Sequence, residues 1–376
     1  MRDGWIEYKF KDVATAVKGK LPKNKNEDGI GIPYLTANFL RSSKPDYWIE
    51  NIEGAVTAED GDCLILWDGA GAGDLFSAHR GVVSSTMAVV TTQNSKILRE
   101  FLTLFISSKA EYIKETCRGT TVPHVSPDAI ANMDLKIPPP SEQKRIVDLI
   151  SSVDSYIEAL QQQLESAKRS RNAVLHELLT TDSDDWVVRK LPEVVEVLDR
   201  FRKPVNSTER EERKGTIPYY GANGQTGWID EFIFDEELVL LGEDAIDFAD
   251  PTARKAYLIQ GPSWVNNHAH VLRANKTIVN SYFLMESLNM VDYSQYVSFG
   301  TRSKLTQASM NEIKVLVPSM KIQEKTVDLL TNFDEVIAAT QKSIGDSKVL
   351  RSGLLSDLLG GEHEIPASYD KVMGAA

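Results

Sequence analysis

At 376 residues, 42% of them hydrophobic and 26% charged, the chain is too long for one small core and too apolar for disorder to be the default. It shows no apolar run near the roughly 18 to 20 residues of a membrane span, no signal peptide in the charged Met1–Phe10 stretch, and two cysteines without CxxC spacing; neither a disulfide framework nor a zinc site is indicated, and a reducing cytoplasm is the expected home. The formal charge of −12 weighs against strong nucleic-acid binding by this chain alone, because phosphate contacts are made by Lys and Arg, but the deficit is uneven: net −2 over residues 1–140 and −6 over residues 181–318.

In chain order, the first 138 residues mix short β-type runs with Gly/Asn/Pro turns and one helical stretch, ILREFLTLFISSKAEYI (97–113). Within them LILWDGAGAGDLF (64–76) has the look of a cofactor loop: an apolar run, Asp68, then Gly69, Gly71 and Gly73. Such a loop needs a helix directly after its glycines, so that the helix N-terminus faces phosphate or carboxylate. Here β-branched RGVVSSTMAVVTT (80–92) follows, and no GxxxxGK[ST] or NPPY motif occurs. The expectation is therefore no cofactor, with glycines that let backbone approach something closely.

The IPPPSEQ stretch (137–143) announces a long helix. Pro138 to Pro140 read as a stiff extended lead-in, Ser141 as the N-cap, and Glu142 as a first-turn acid. Its apolar seam alternates four and three: Ile146, Ile150, Val153, Ile157, Leu160, Leu164, Ala167, Arg171, Val174 and Leu178. That spacing is a coiled-coil heptad. Roughly 39 residues at about 1.5 Å each give a rod of about 58 Å, longer than a domain of this size needs. An amphipathic helix packed on its own domain is the plainer alternative.

The chain then repeats itself. WIEYKFKDVATAV (5–17) is echoed by WVVRKLPEVVEVL (186–198), IPYLTAN (32–38) by IPYYGAN (217–223), and the 118–138 stretch by 299–318. A second helical stretch, IVNSYFLMESLNMVDYS (278–294), takes the place of the first. The long helix returns at 322–340 and beyond with a more polar seam: Thr326, Leu330, Phe333, Ile337, Thr340, Ile344, Ser347, Arg351, Leu354 and Leu358. The offset stays between 180 and 185, which means duplication. The fold class expected is α+β: two mixed α/β-sheet domains separated by two long antiparallel coiled-coil helices, with an internal pseudo-two-fold repeat. The boundaries are 1–138, 139–181 (long helix), 182–318, 319–360 (long helix) and 361–376 (flexible tail). His268 and His270 in NNHAHV lie on one strand face and could be metal ligands, but no third ligand is in sight; hydrogen-bonded structural histidines are the expectation. His124 reads as a polar turn residue rather than a general base.

Two variable domains alternating with two helices of IPPPSEQKRIVDLI character resemble the DNA-specificity subunit of type I restriction-modification systems, over essentially the whole chain. LILWDGAGAG with SSTMAVV, IPYYGANGQTGWIDEFIF, LLGEDA, WVNNHAHVL and GTTVPHVS are similar to stretches of that family's target-recognition domains. The second helix departs from the pattern in lacking the triple proline, and the second domain in being strongly acidic. The resemblance implies a non-catalytic bacterial chain serving antiviral defence. Its domains would each read one half of a split double-stranded DNA target, with the helices setting the gap and docking two modification subunits. No cofactor would sit in this chain. S-adenosylmethionine for adenine methylation would belong to the modification subunits, and ATP and Mg to restriction subunits in the full complex. Proposed DNA contacts by residue type and loop position are Lys18, Lys20, Lys23, Lys25, Asn38, Arg41, Trp67, Asp68, Arg80, Arg118, Thr120, Thr121 and His124 in the first domain. In the second they are Arg200, Arg202, Lys203, Tyr220, Asn223, Gln225, Arg254, Asn267, Arg302, Ser303 and Lys304. Each could equally be a solvated or structural side chain, Asn38 and Asn223 as turn residues. A coiled-coil scaffold that binds no DNA would explain the repeat and rod but not the duplicated polar loops. A stand-alone S-adenosylmethionine-dependent methyltransferase would explain only the glycine loop.

Overall fold

The computed structural model describes residues 4–92, 94–119, 121–180, 186–250, 252–297 and 303–372. It divides into two compact units: residues 1–161 with 342–376, and residues 162–341. The division falls inside both long helices, so each unit holds one globular domain and half of each helix.

In the first unit a four-stranded antiparallel sheet has the order Ala14–Lys18, Met87–Thr92, Cys63–Leu66, Leu75–Ser77. Side chains alternate across a strand, and Cys63–Leu66 is apolar on both faces because both are covered. Cys63 and Ile65 join the core beneath the helix Arg99–Ser108, while Leu64 and Leu66 join Leu35, Val83 and Met87 on the other side. A second sheet, Trp48–Ile49, Ile32–Leu35, Gly81–Val83, Thr57–Ala58, contains one parallel pair, Ile32–Leu35 with Gly81–Val83. Ile6–Lys9 pairs antiparallel with Asp134–Ile137.

The second unit repeats this strand for strand. Its antiparallel sheet runs Val195–Val197, Ala269–Ala274, Leu238–Gly242, Ala256–Ile259. Its mixed sheet runs Gly224–Ile229, Ile217–Gly221, Pro262–Val265, Phe234–Asp235, again with one parallel pair. Val187–Lys190 pairs with Lys314–Val317. The middle strand again feeds two cores, Val239 and Leu241 into one and Leu238 and Leu240 into the other. The helical stretches are shorter than the apolar pattern suggests. Arg99–Ser108 is followed by a separate short helix, Ala110–Glu115, and Ser281–Asn289 starts where the Asn280 side chain accepts from the Tyr282 and Phe283 amides.

The long helices are Pro140–Thr180 and Met320–Gly360, 41 residues each. Among the described residues no helix is long and apolar enough to cross a membrane. The first helix starts two residues earlier than its sequence suggests: Pro140 is its first residue, and Pro139 O accepts from the Glu142 and Gln143 amides. Proline suits that position because its missing N–H has no partner in a first turn. Ser141 thus lies within the turn and is not the N-cap, and only Pro138 and Pro139 form the lead-in. All fifteen apolar seam positions are buried or half-buried: Ile146, Ile150, Ile157, Leu330, Ile344 and Leu358 buried, Val153, Leu160, Leu164, Ala167, Val174, Leu178, Phe333, Ile337 and Leu354 half-buried. In the first unit Ile146 and Ile150 share a core with Leu358 and Leu355, and Asp154 pairs with Arg351. In the second, Arg171 pairs with Asp334, and Leu175 shares a core with Leu330. Within each unit, therefore, one helix number rises as the other falls, and the segments are antiparallel.

The segment after the second helix is not a loose tail where it is described. Ile365 is buried, Tyr369–Val372 is a short helix, and Arg145 forks onto both oxygens of Asp370 at 2.8 Å. Residues 373–376 lie outside the described residues.

Candidate nucleic-acid interface

The glycine loop of the first unit joins Cys63–Leu66 to Leu75–Ser77 as a hairpin connection. Gly69, Gly71 and Gly73 all have positive φ, between 91° and 105°, the region that L side chains avoid. At Gly73 a Cβ would also stand 3.0 Å from the Lys114 Cα. The loop is closed by its own backbone: Gly73 N donates to Leu66 O, Asp74 N to Gly71 O, and Gly69 N to Pro123 O, at 2.8 to 2.9 Å. The glycines serve this close packing.

Around the loop, Trp67 N donates to Thr86 O (2.7 Å) and Val125 N to Trp67 O (2.9 Å), tying three segments together. His124 bridges both Asp68 and Arg118 through the backbone, and Lys18 Nζ stands 2.5 Å from Asp68. The structure thus gathers Lys18, Trp67, Asp68, Arg118 and His124 at one sheet end, with Thr121 exposed beside His124. Lys20 and Lys23 are exposed on the following loop, and among the described residues neither forms a side-chain hydrogen bond or ion pair. Lys25 lies 3.7 Å from the centre of the Tyr47 ring. Others are already engaged. Asn38 donates to both oxygens of Asp46, at 2.9 and 3.0 Å. Arg41 pairs with Asp74 at 2.7 Å, and Arg80 stands 3.7 Å from Glu59. Burial would raise the Asp74 carboxyl, but hydrogen bonds from Lys114 and Arg41 outweigh it and hold Asp74 below the usual range.

The second unit keeps the scaffold and changes the side chains. Glu243 N donates to His268 O (2.8 Å) and Leu305 N to Glu243 O (2.7 Å), the same two bonds that Trp67 makes. Glu243 therefore stands where Trp67 does, Asp244 where Asp68 does, and Lys304 where His124 does. The glycine loop is replaced by an acidic one. Glu243 collects Arg202 at 2.6 Å and Lys304 at 2.9 Å; burial opposes its charge, yet these bonds hold the carboxyl below its ordinary range. Arg202 also donates to Ala269 O and stands 3.2 Å from Asp199, and only 14% of its side chain is exposed. It belongs to an internal network.

Asn223 donates to the carbonyl of Ala245, which has a φ of 56°, and Gln225 donates to Gly227 O. Both side chains shape turns. Tyr220 is half-buried against Tyr257, and Arg254 pairs with Glu286 at 3.1 Å. Arg200 lies over the Phe201 ring near Glu196, Lys203 and Asn267 are exposed, and Ser303 is half-buried. Thr120 and Arg302 lie outside the described residues.

The histidines do not share a strand face. His268 sits in the turn before Ala269–Ala274 and meets Asp244 at 2.7 Å; His270, 1% exposed, lies between Asp199 and Leu305 O. Among the described residues no group of three or more His, Cys, Asp or Glu could hold a metal.

Two buried glutamines hold the scaffold beneath these loops. Gln143 and Gln323, both 0% exposed, each accept from one amide and donate to two carbonyls. Gln143 accepts from Leu98 N and donates to Lys96 O and Pro138 O; Gln323 accepts from Asn280 N and donates to Ile278 O and Pro318 O. All six bonds are 2.7 to 2.9 Å. They pin the start of each long helix to the helix of its domain. The only sequence signal was their recurrence in register, EQKRIVDL against IQEKTVDL.

Residues 2–169 and, again, 183–345 match the family model for the type I restriction modification DNA specificity domain. The chain is 28% identical over 213 residues to the type I restriction enzyme MjaVIII specificity subunit of Methanocaldococcus jannaschii, a match covering 52% of this chain and only half of that protein. It is 22% identical over 404 residues to the MjaIX specificity subunit of the same organism, covering 95% and 93% of the two chains. The crystal structure of the S subunit of a type I restriction-modification system from M. genitalium shares its fold, with a TM-score of 0.61 at 17% identity over 94% of this chain and 96% of that one.

Proposed function

The chain belongs to the type I restriction-modification DNA specificity family, and from that premise we propose that it is the sequence-reading subunit of a type I complex, each globular domain recognising one half of a split DNA target. One observation carries the reading: the same hydrogen-bonded scaffold is built twice and presents different polar side chains at matched positions, Trp67, Asp68 and His124 against Glu243, Asp244 and Lys304. Two copies of one frame with different edges are what two unlike half-sites require. Base edges are read by such side-chain donors and acceptors in the grooves, while lysines on phosphate only position the protein.

The chain itself is a reader and not a catalyst. Methyl transfer from S-adenosylmethionine to adenine belongs to two modification subunits docked on this chain, and ATP and Mg to restriction subunits where the complex contains them. With a net charge of −12, the partners supply much of the phosphate grip. The isolated chain is expected not to bind S-adenosylmethionine, since the loop Gly69–Gly73 opens onto a strand rather than a helix N-terminus.

Exchange of residues 184–318 for the corresponding domain of a relative tests the reading. Methylation-site mapping of the reconstituted complex should show one half-target changed and the other intact. Both halves changing together would refute independent readers.

A further inference from the structure

The seam of each long helix is interrupted by one arginine, and each arginine has found an aspartate on the other helix. In the second unit Arg171 Nε and Nη2 donate to the two oxygens of Asp334 at 2.6 and 3.3 Å. In the first unit Arg351 forks onto Asp154 in the same way, Nη2 to Oδ2 at 2.8 Å and Nε to Oδ1. The two pairs are repeats of each other, since Arg171 and Arg351, like Asp154 and Asp334, occupy matched places in the duplicated sequence. On either helix 17 residues separate the aspartate from the arginine, so one antiparallel register satisfies both pairs.

A heptad seam by itself does not define that register, because sliding by seven residues restores apolar against apolar. The charges do define it. A slide of one heptad either way would set Arg351 against Val147 or Gln161, and Arg171 against Val327 or Gln341. None of the four is a carboxylate. A slide of one heptad therefore leaves both arginines and both aspartates without partners, at a large cost at Arg171, whose side chain is 11% exposed, and a smaller one at the more exposed Arg351–Asp154 pair, while the ion pairs themselves add little net stability.

We propose that Arg171–Asp334 and Arg351–Asp154 specify the register of the long helices, and that they are positioning residues which restrict the protein to one gap between its half-targets. The gap rests on the function proposed above; the register does not. The pair in the second unit, Arg171–Asp334, is more deeply built in. Arg171 also donates to Glu286 at 2.8 Å and to the Tyr282 hydroxyl at 3.0 Å, and Glu286 is 3% exposed.

The test replaces the pairs with leucine: Asp154→Leu with Arg351→Leu, and Arg171→Leu with Asp334→Leu and Glu286→Leu. Because each charged pair is removed whole and replaced by apolar side chains of similar volume, the chain should remain folded. Spin labels on cysteines introduced at Ser155 and Leu350, in the full chain with Cys117→Ser, read the register within the first unit. The unsubstituted pairs should give one distance, and the leucine variant a second, longer one, because a slide of one heptad is an axial shift of roughly 10 Å at about 1.5 Å per residue that adds in quadrature to the lateral separation of the labels. In the complex with modification subunits, methylation at spacers one to three base pairs off should rise at least fivefold relative to the native spacer. Exchanging Asp154→Arg with Arg351→Asp should restore one distance and one gap. Should the five-fold variant not fold, the Asp154→Leu/Arg351→Leu pair alone carries the measurement, with a smaller second population. A single undisplaced distance in the leucine variants overturns the proposal. A second distance together with a wild-type complex that shows no split target would leave the register assignment standing and remove the DNA reading instead.

Discussion

The two units are the same backbone put to unlike electrostatic use. Strand order, the parallel pair, the glutamine pin and the bonds around Trp67 and Glu243 recur in both. The cations do not. The first unit leaves Lys20 and Lys23 exposed on a loop, while the second turns Arg202 and Lys304 onto Glu243, and Arg171 onto Glu286. Duplication has therefore kept what fixes the polypeptide path, namely backbone hydrogen bonds and a two-faced apolar strand. Side chains facing the loops diverged, because the backbone bonds that fix the shared path do not run through them.

The largest difference should appear at the repeated arginine. Arg171→Met leaves the Glu286 carboxylate, whose side chain is 4% exposed, with only the largely exposed Arg254 at 3.1 Å, and should cost about 3 kcal/mol in denaturant unfolding. Arg351→Met leaves Asp154 with 45% of its side chain in water and should cost about 1 kcal/mol or less. Equal losses at the two positions would mean that the buried glutamate does not distinguish the units.

Acid should separate the units in the same direction. In the second, the carboxyls of Glu236, Glu237, Glu243 and Asp334 all lie below their ordinary values of 4.5 and 3.8. For Glu236 the leading cause is its fork with Arg273; for Asp334 burial opposes the charge, and the bonds from Arg171 and Tyr282 overcome it. In the first unit only Asp74 and Asp370 show the same depression among the described residues. A carboxyl depressed in the fold contributes stability above its unfolded value, and that contribution is lost as pH falls through the folded value. The second unit should therefore open first as pH falls below about 4. Pepsin digestion over falling pH, mapped by mass spectrometry, should cut within 187–317 before 6–137. The reverse order would show that the first unit holds the more acid-sensitive contacts.

Sequence made the periodic features legible and hid the pairwise ones. The repeat, the buried strand 63–66 and the heptad seam are written in apolar spacing, which survives without knowledge of partners. Gln143 and Gln323 are buried polar residues that look like helix-surface residues until the domain's first helix is seen to need them. Likewise, Asn38 and Arg202 resembled base readers by type. Their partners in the structure, Asp46 and Glu243, lie 8 and 41 residues away across loops whose closure no local pattern dictates. The flexible tail was misjudged for a similar reason, since Asp370 meets Arg145 from the far side of the chain.

The smallest expected effect sharpens the comparison at the surface. Each lysine on a DNA phosphate releases about 0.9 counterion, so removing one should flatten the slope of log K against log salt by about that amount. Lys20→Ala and Lys23→Ala, on the exposed loop of the first unit, should each do so and weaken binding several-fold at every sequence alike, because phosphate contacts carry no base information. Lys304→Ala should behave differently. Its ammonium stands 2.9 Å from Glu243, and that bond holds it protonated above the usual lysine range, so its charge is balanced internally before DNA arrives. Titration of the assembled complex against a cognate duplex across a salt series measures all three. An unchanged slope is expected for Lys304→Ala. If instead Lys304→Ala flattens the slope while Lys20→Ala and Lys23→Ala leave it alone, the second unit holds the phosphate and the first does not.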